Sequence, residues 1–232
     1  MVTLRSFLVL GLSLIIGLAI FGAQIGRAVK KGREFDRYLT VKGLSEREVT
    51  ATLAIWPIHF SVVADDLAAL KAAMEKNRAL VVSFLTANNI ETSEIHHGLP
   101  VVTDREDEKA QADRPSLVRY RGLVTVVVRS AKVDVVKKAI QGADGLLEKG
   151  VALVGNDFQF IFNQVNEVKP DMIKEATANA RAAAEKFAQD SQSKVGRIRK
   201  AIQGALEIED RDVASPERKV LRVVTTVDFF LD

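Results

Sequence analysis

From Ser6 to Ile25 the sequence reads SFLVLGLSLIIGLAIFGAQI, twenty residues without a charge. At ~1.5 Å per helical residue such a run reaches across the ~30 Å of a bilayer's hydrocarbon. This feature narrows the options for the chain more than any other, because a soluble domain has to bury such a stretch or remove it. A cleavable signal peptide has a shorter apolar stretch, of about 7 to 15 residues, and a small-x-small site at its end. Here the best such triplet, Gly26-Arg27-Ala28, has arginine in its middle. The run is therefore expected to be a transmembrane helix over about residues 6–25, with a basic tether completing an anchor segment over residues 1–37. The lipid bilayer is then a partner through residues 6–25.

Charge sharpens this division. The whole chain is formally +3 at neutral pH. Arg5, Arg27, Lys30, Lys31, Arg33 and Arg37, set against Glu34 and Asp36, give the first 39 residues +4 and leave the remainder at about −1. The bulk of the protein thus has no concentrated basic face, and nucleic acid is not an expected partner. The basic flank after the apolar run, taken alone, places the large domain in the cytoplasm.

With 232 residues and 47% hydrophobic content, the part beyond the anchor can bury a core. Alternation of apolar and polar residues predicts a strand over Glu48–Val62, with Val49, Ala51, Leu53 and Ile55 on one face. A helix is expected over about Asp66–Ala87, with an apolar stripe of Leu67, Leu70, Met74, Val81 and Phe84 or Leu85, Asp65 as N-cap and Asn88-Asn89 as its stop. A strand near Glu94–Thr103, a polar tip over Asp104–Pro115 and a strand over Leu117–Arg129 follow. Ser130 then caps a short helix burying Val133, Val136 and Ile140.

After this linking helix the order begins again. Val151–Val165 reads as a strand, and Asp171–Gln189 reads as a helix burying Ile173, Ala176, Ala180, Ala184 and Phe187, with Pro170 in its first turn. Strands near Val195–Ile208 and Val220–Leu231 flank a second polar tip, Asp210–Pro216. The fold class expected is α+β: duplicated strand-helix-strand-strand units forming an antiparallel-rich sheet with long helices packed on one face, plus the N-terminal transmembrane helix. The repeats span about residues 46–130 and 151–232, joined by a helix over 131–149, within one domain over 38–232. Arg119, Arg121, Arg129, Arg222 and Asp228 fall on the other sheet face, as a solvated row or as a subunit contact with paired charges.

No phosphate-binding glycine loop, nucleophile elbow or zinc-protease helix occurs. Cysteine is absent, which removes disulfides, thiolate metal sites and cysteine nucleophiles. His59, His96 and His97 are the histidines. Neighbours on a strand point to opposite faces, so His96 and His97 are badly placed to share a metal, and Glu94 with His96 makes only a weak pair. His59, near Trp56 and Phe60, reads as a satisfied, half-buried histidine. The residues nominate no catalytic, cofactor-binding or metal-binding set, no cofactor and no enzyme activity, and leave any small-molecule ligand unknown.

The run YLTVKGLSEREV at residues 38–49 and the following ATLAIWPIHFSV resemble the opening of the SIMPL-domain family, also called YggE-like. Further matching stretches are VALVGNDFQFIF at 151–162, KPDMIKEATANARAAAEKFAQDS at 169–191 and VVTTVDFFL at 223–231. The resemblance implies a bacterial envelope protein, secreted or anchored at its N-terminus, in a family where some members form large rings and some are linked to oxidative-stress tolerance. It implies no catalytic residues. On that basis the chain is expected to be a single-pass protein of the bacterial inner membrane, a homo-oligomeric scaffold or ring with its domain in the periplasm. The cytoplasm-facing orientation is the alternative. A pore-like or ligand-binding assembly, or an enzyme with a site between the repeats, are the alternative functions.

Overall fold

The computed structural model describes residues 4–34, 37–106, 118–155 and 157–231; in the N-terminal helix it describes the side chains of Gly11 and residues 13–27. That helix, α1 (Leu4–Glu34), is continuous through the whole apolar run. Leu14, Ile15, Ile16, Leu18, Ile20, Phe21 and Ile25 all point into open space, at 48–65% exposure. Among the described residues no helix is long and apolar enough to cross a membrane, and the side chains of residues 6–10 and 12 lie outside that description.

The chain is α+β with antiparallel sheets, and it divides into two compact units. One comprises Met1–Glu46, Val168–Glu207 and Arg222–Asp232; the other comprises Arg47–Glu167 and Ile208–Leu221. Where the alternation predicts one sheet, there are two. A three-stranded sheet has the order β1 (Tyr38–Thr50), β9 (Arg218–Leu231), β8 (Val195–Asp210). The larger sheet is built on β2 (Leu53–Ala64), paired along its length with β5 (Tyr120–Ser130), from Ala54 opposite Ser130 to Ala64 opposite Tyr120.

In the first unit, α5 (Val165–Asp190) packs on the sheet through alanines spaced four apart, Ala176, Ala180, Ala184 and Ala188, all buried. Ala180 and Ala184 meet Val41, Val227 and Phe229. Methyl side chains let the helix settle so close to β1 that a Cβ built on Gly43 falls 1.8 Å from the Ala176 carbonyl oxygen and 2.5 Å from the Ala180 nitrogen. Two hydrogen bonds lock the approach: the Ser45 hydroxyl donates to Glu175 (2.9 Å), and the Asn179 amide donates to the Leu44 carbonyl (2.8 Å). The helix starts before Asp171, so Pro170 lies inside it and Met172 replaces the expected Ile173 as the first buried contact. Ala188, and not Phe187, is the last; Phe187 is 60% exposed.

In the second unit, β3 (Ile95–His97) and β4 (Val101–Asp104) pair with the far side of β5, while β6 (Ala152–Leu153) and β7 (Gln159–Ile161) pair with β2. The strand expected over Val151–Val165 is thus two short pieces in this sheet. The third strand beside the β8–β9 hairpin is β1, of which only Glu48–Thr50 fell, together with β2, within the strand expected over Glu48–Val62; no strand was expected over residues 38–47. The two strands break at Ala51-Thr52, and the break shifts the alternation by one residue. The buried face of β2 is therefore Ala54, Trp56, Ile58, Phe60 and Val62, and not the set containing Leu53 and Ile55.

Pro57 explains why that edge is interrupted. The His59 carbonyl accepts from the Val154 N–H, so His59 and, by alternation, Pro57 turn their backbone groups toward the β6–β7 side. Proline has no N–H to offer there. β7 pairs with Leu53–Ile55 and β6 with Phe60–Ser61, leaving Pro57 in the interval.

Over this sheet lie α2 (Leu67–Ala87), α3 (Val133–Gln141) and α4 (Gly145–Glu148). Leu70, Met74, Val81, Phe84 and Leu85 of α2 join Val124, Val126 and Val128 of β5 in one core. The α2 N-cap is Asp66, whose carboxylate accepts from the Ala69 N–H (2.8 Å), one residue beyond the expected Asp65; Leu67 is exposed. Asn88 and Asn89 end the helix as expected, Asn89 with a φ of 64°. In α3 the third buried contact is Ala139 rather than Ile140. Most of the first polar tip, and the start of the strand expected from Leu117, lie outside the described residues.

Gly43→Ala is expected to destabilise the protein by at least about 1–3 kcal/mol, because the clash is with helix backbone that cannot rotate away. Gly145→Ala, whose added methyl meets nothing within 4 Å, is the control and should leave the melting temperature within a degree or so. Equal melting curves for the two variants would refute the close-approach account.

Candidate functional site

The residues singled out by the sequence do not converge. His59 is half-buried, and its Nδ1 lies 2.9 Å from the Thr125 hydroxyl, its cross-strand partner on β5. His96 and His97 are exposed on β3, opposite Val127 and Val126. Glu94 sits in a short 3₁₀ turn (Thr92–Glu94), where its carboxylate accepts from the Ser130 hydroxyl (2.7 Å) and from the Glu91 N–H (2.9 Å). It is thereby engaged away from His96. Among the described residues no group of three or more His, Asp or Glu side chains is placed to hold a metal.

The expected row of charges is likewise divided. Arg121 and Arg129 are exposed on β5, whereas Arg222 and Asp228 belong to β9 in the other sheet, so these residues do not form one face. Arg119 precedes β5 and forks onto Asp104, with Nε to Oδ1 at 3.2 Å and Nη2 to Oδ2 at 2.9 Å, and also reaches Glu106 at 2.5 Å. Asp228 accepts from the Thr40 hydroxyl at 2.8 Å.

Two glutamates are held ionised. Burial pushes the Glu217 carboxyl up, but the hydrogen bond from the Lys137 ammonium 2.6 Å away, a backbone hydrogen bond and the charges of Lys137 and Arg218 together outweigh it and leave its pKa below the usual range. For Glu94, burial again works upward, and the Ser130 hydroxyl, the Glu91 N–H and Lys132 together outweigh it. The second oxygen of Glu217 is buried without a hydrogen-bond partner. These pairs fasten loops to the core: the Glu217 carbonyl accepts from the Ala51 N–H at 2.8 Å, at the break between β1 and β2.

A shallow groove of about 400 Å³ runs beside α2, lined by Leu67, Leu70, Met74, Arg78, Pro100 and Val102. Its walls are mostly apolar and bring no nucleophile against a base. The most distinctive surface is β8. It is an edge strand of sixteen residues, twelve of them exposed, including Ile198 (43%), Ile202 (52%) and Ile208 (40%). Its charge is segregated: Arg197, Arg199 and Lys200 occupy the first half, and Glu207, Glu209 and Asp210 the second. The guanidinium of Arg199 lies 4.1 Å from the centre of the Tyr38 ring, and that of Arg197 lies 5.7 Å from Phe230, which spreads both flat over the sheet. The expected strand at Val195–Ile208 carried this surface in plain view. Its edge position depends on β1 taking the other side of β9, which alternation alone did not reveal.

Carboxylates with depressed pKa values stabilise the fold above the ordinary glutamate value of 4.5, and that contribution is lost as pH falls through the lower, folded value. Unfolding followed by denaturant should therefore show stability dropping on acidification below about pH 4.5. Glu217→Gln should reduce the steepness of that drop while lowering stability at pH 7; an unchanged pH slope would contradict the Lys137–Glu217 assignment.

No curated protein matches the chain. Residues 39–224, which take in all of both sheets except the first residue of β1 and the second half of β9, match the family described as SIMPL, protein of unknown function (DUF541). That match covers well over half of the sequence and agrees with the resemblance read from its motifs, so the chain belongs to the SIMPL family.

Proposed function

We propose that this protein is a membrane-anchored envelope protein that acts by self-assembly, as a homo-oligomeric scaffold held at the bacterial inner membrane by α1, with its α+β body in the periplasm. The observation that carries the reading is the outward-facing apolar surface of α1. Seven large apolar side chains between Leu14 and Ile25 are about half or more exposed, an arrangement that water disfavours and lipid accepts. The sequence that leads into these residues, from Ser6, is also uncharged. A second support is the long exposed edge of β8, since unpaired strand edges are where chains associate. Family membership adds the expectation of an envelope location.

Full-length protein is expected to stay with the membrane fraction through carbonate extraction at high pH and to elute from detergent as one defined oligomer by light scattering. Release into the soluble fraction would refute the anchor, and a monomer across the micromolar range would refute the assembly. Alkaline phosphatase fused after Asp232 should be active if the body is periplasmic and inactive if it faces the cytoplasm.

A further inference from the structure

The self-assembly proposed above leaves open which surface joins the copies, and we infer that it is the edge of β8, pairing antiparallel with β8 of a second copy about a two-fold axis at Gln203. This deepens that reading and rests on it. The strand is unusual for an edge. Natural edges are shortened, bent by bulges, interrupted by proline or guarded by charge; β8 runs for sixteen residues with no proline, and its charges are sorted by sign along its length.

Its charge order says what fits against it. Reversed and laid beside itself with Gln203 opposite Gln203, the strand places Arg199 of one copy opposite Glu207 of the other and Arg197 opposite Glu209, both on the sheet face shared with Tyr38 and Phe230. The two-fold axis repeats each pair, so four opposite-charge pairs form across one edge. On the other face Ile198 comes opposite Ile208, Ile202 opposite Gly204, and the aliphatic stem of Lys200 lies over Leu206. Ile198 and Ile208 thereby cover each other, and Ile202 lies diagonal to Ile202 and Leu206 of the second copy, with Gly204 leaving room between them. A uniformly acidic or basic partner strand would satisfy one half of β8 and repel the other. Its own reverse satisfies both, and the second copy is therefore the occupant.

The absence of native cysteine makes the test direct. Directly opposed residues of an antiparallel pair have Cα atoms about 4.5–5.5 Å apart, within disulfide reach. Full-length Gln203→Cys in detergent micelles should therefore oxidise to a covalent dimer, while Lys42→Cys, exposed on β1 at the opposite edge of the same sheet, should not. Arg199→Glu and Glu207→Arg should each raise the dimer dissociation constant about tenfold or more, because each places like charges opposite one another twice. The double variant should restore dimerisation to near the original level, an outcome that misfolding of either single variant would not produce. If the wild-type chain is monomeric in micelles, the self-assembly reading fails and this inference with it. If the wild type is oligomeric but the Gln203→Cys variant stays reduced and the charge reversals have no effect, the edge assignment alone is overturned.

Discussion

The contact between Gly43 and the backbone of α5 is the constraint from which the smaller sheet takes its form. A helix whose buried row is alanine has little side chain with which to fill a gap, so it gains packing only by lying very close to the strand below. That closeness is possible where β1 has no Cβ, and the Ser45 and Asn179 hydrogen bonds on either side hold the helix there. With β1 fixed under the helix, β9 becomes the central strand and β8 is left on the outside. The exposed edge thus lies on the side of β9 opposite to the strand that the helix fixes.

The larger sheet answers to a different constraint. Its central pair, β2 with β5, buries one continuous row of side chains from each strand against α2, and the polar backbone on the far side of β2 has to be satisfied despite Pro57. The chain covers that side with two short strands and leaves the proline between them. Ion pairs with one partner in the interior, such as Lys137–Glu217, then tie the connecting segments down. Their role is one of fastening: breaking one leaves a charge buried without its partner, which costs far more than the pair itself contributes.

Much of this was legible in the residues. The middles of the α2 and α5 stripes, the asparagine stop at Asn88-Asn89 and the alternation of β5 appear where hydrophobic spacing puts them, because each buries a face whose period is set locally, while Leu67, Ile173 and Phe187 at the stripe ends do not join the buried rows. The parts that were not legible depend on partners distant in sequence. Nothing local separates β1 from β2, since the polar-apolar alternation runs through Ala51-Thr52 and only the shift in buried face exposes the break. Nor does any local rule assign β1 to one sheet and β6 with β7 to the other. The charge segregation along β8 could be read from the sequence, but its meaning required knowing that β8 is an edge. Family membership was readable from motifs such as YLTVKGLSEREV, and it brings no chemistry with it.

In the proposed arrangement, confinement to a membrane surface would raise the effective concentration of the β8 edge, so that a modest edge interaction would be enough to hold copies together. The most direct measurement of that claim is amide hydrogen exchange along Val195–Asp210 in the full-length protein as its concentration in micelles is raised. Alternate amides of this strand, those turned away from β9, should pass from rapid exchange to protection over the concentrations at which oligomer forms. Rapid exchange of those amides in fully assembled protein would contradict pairing through this edge.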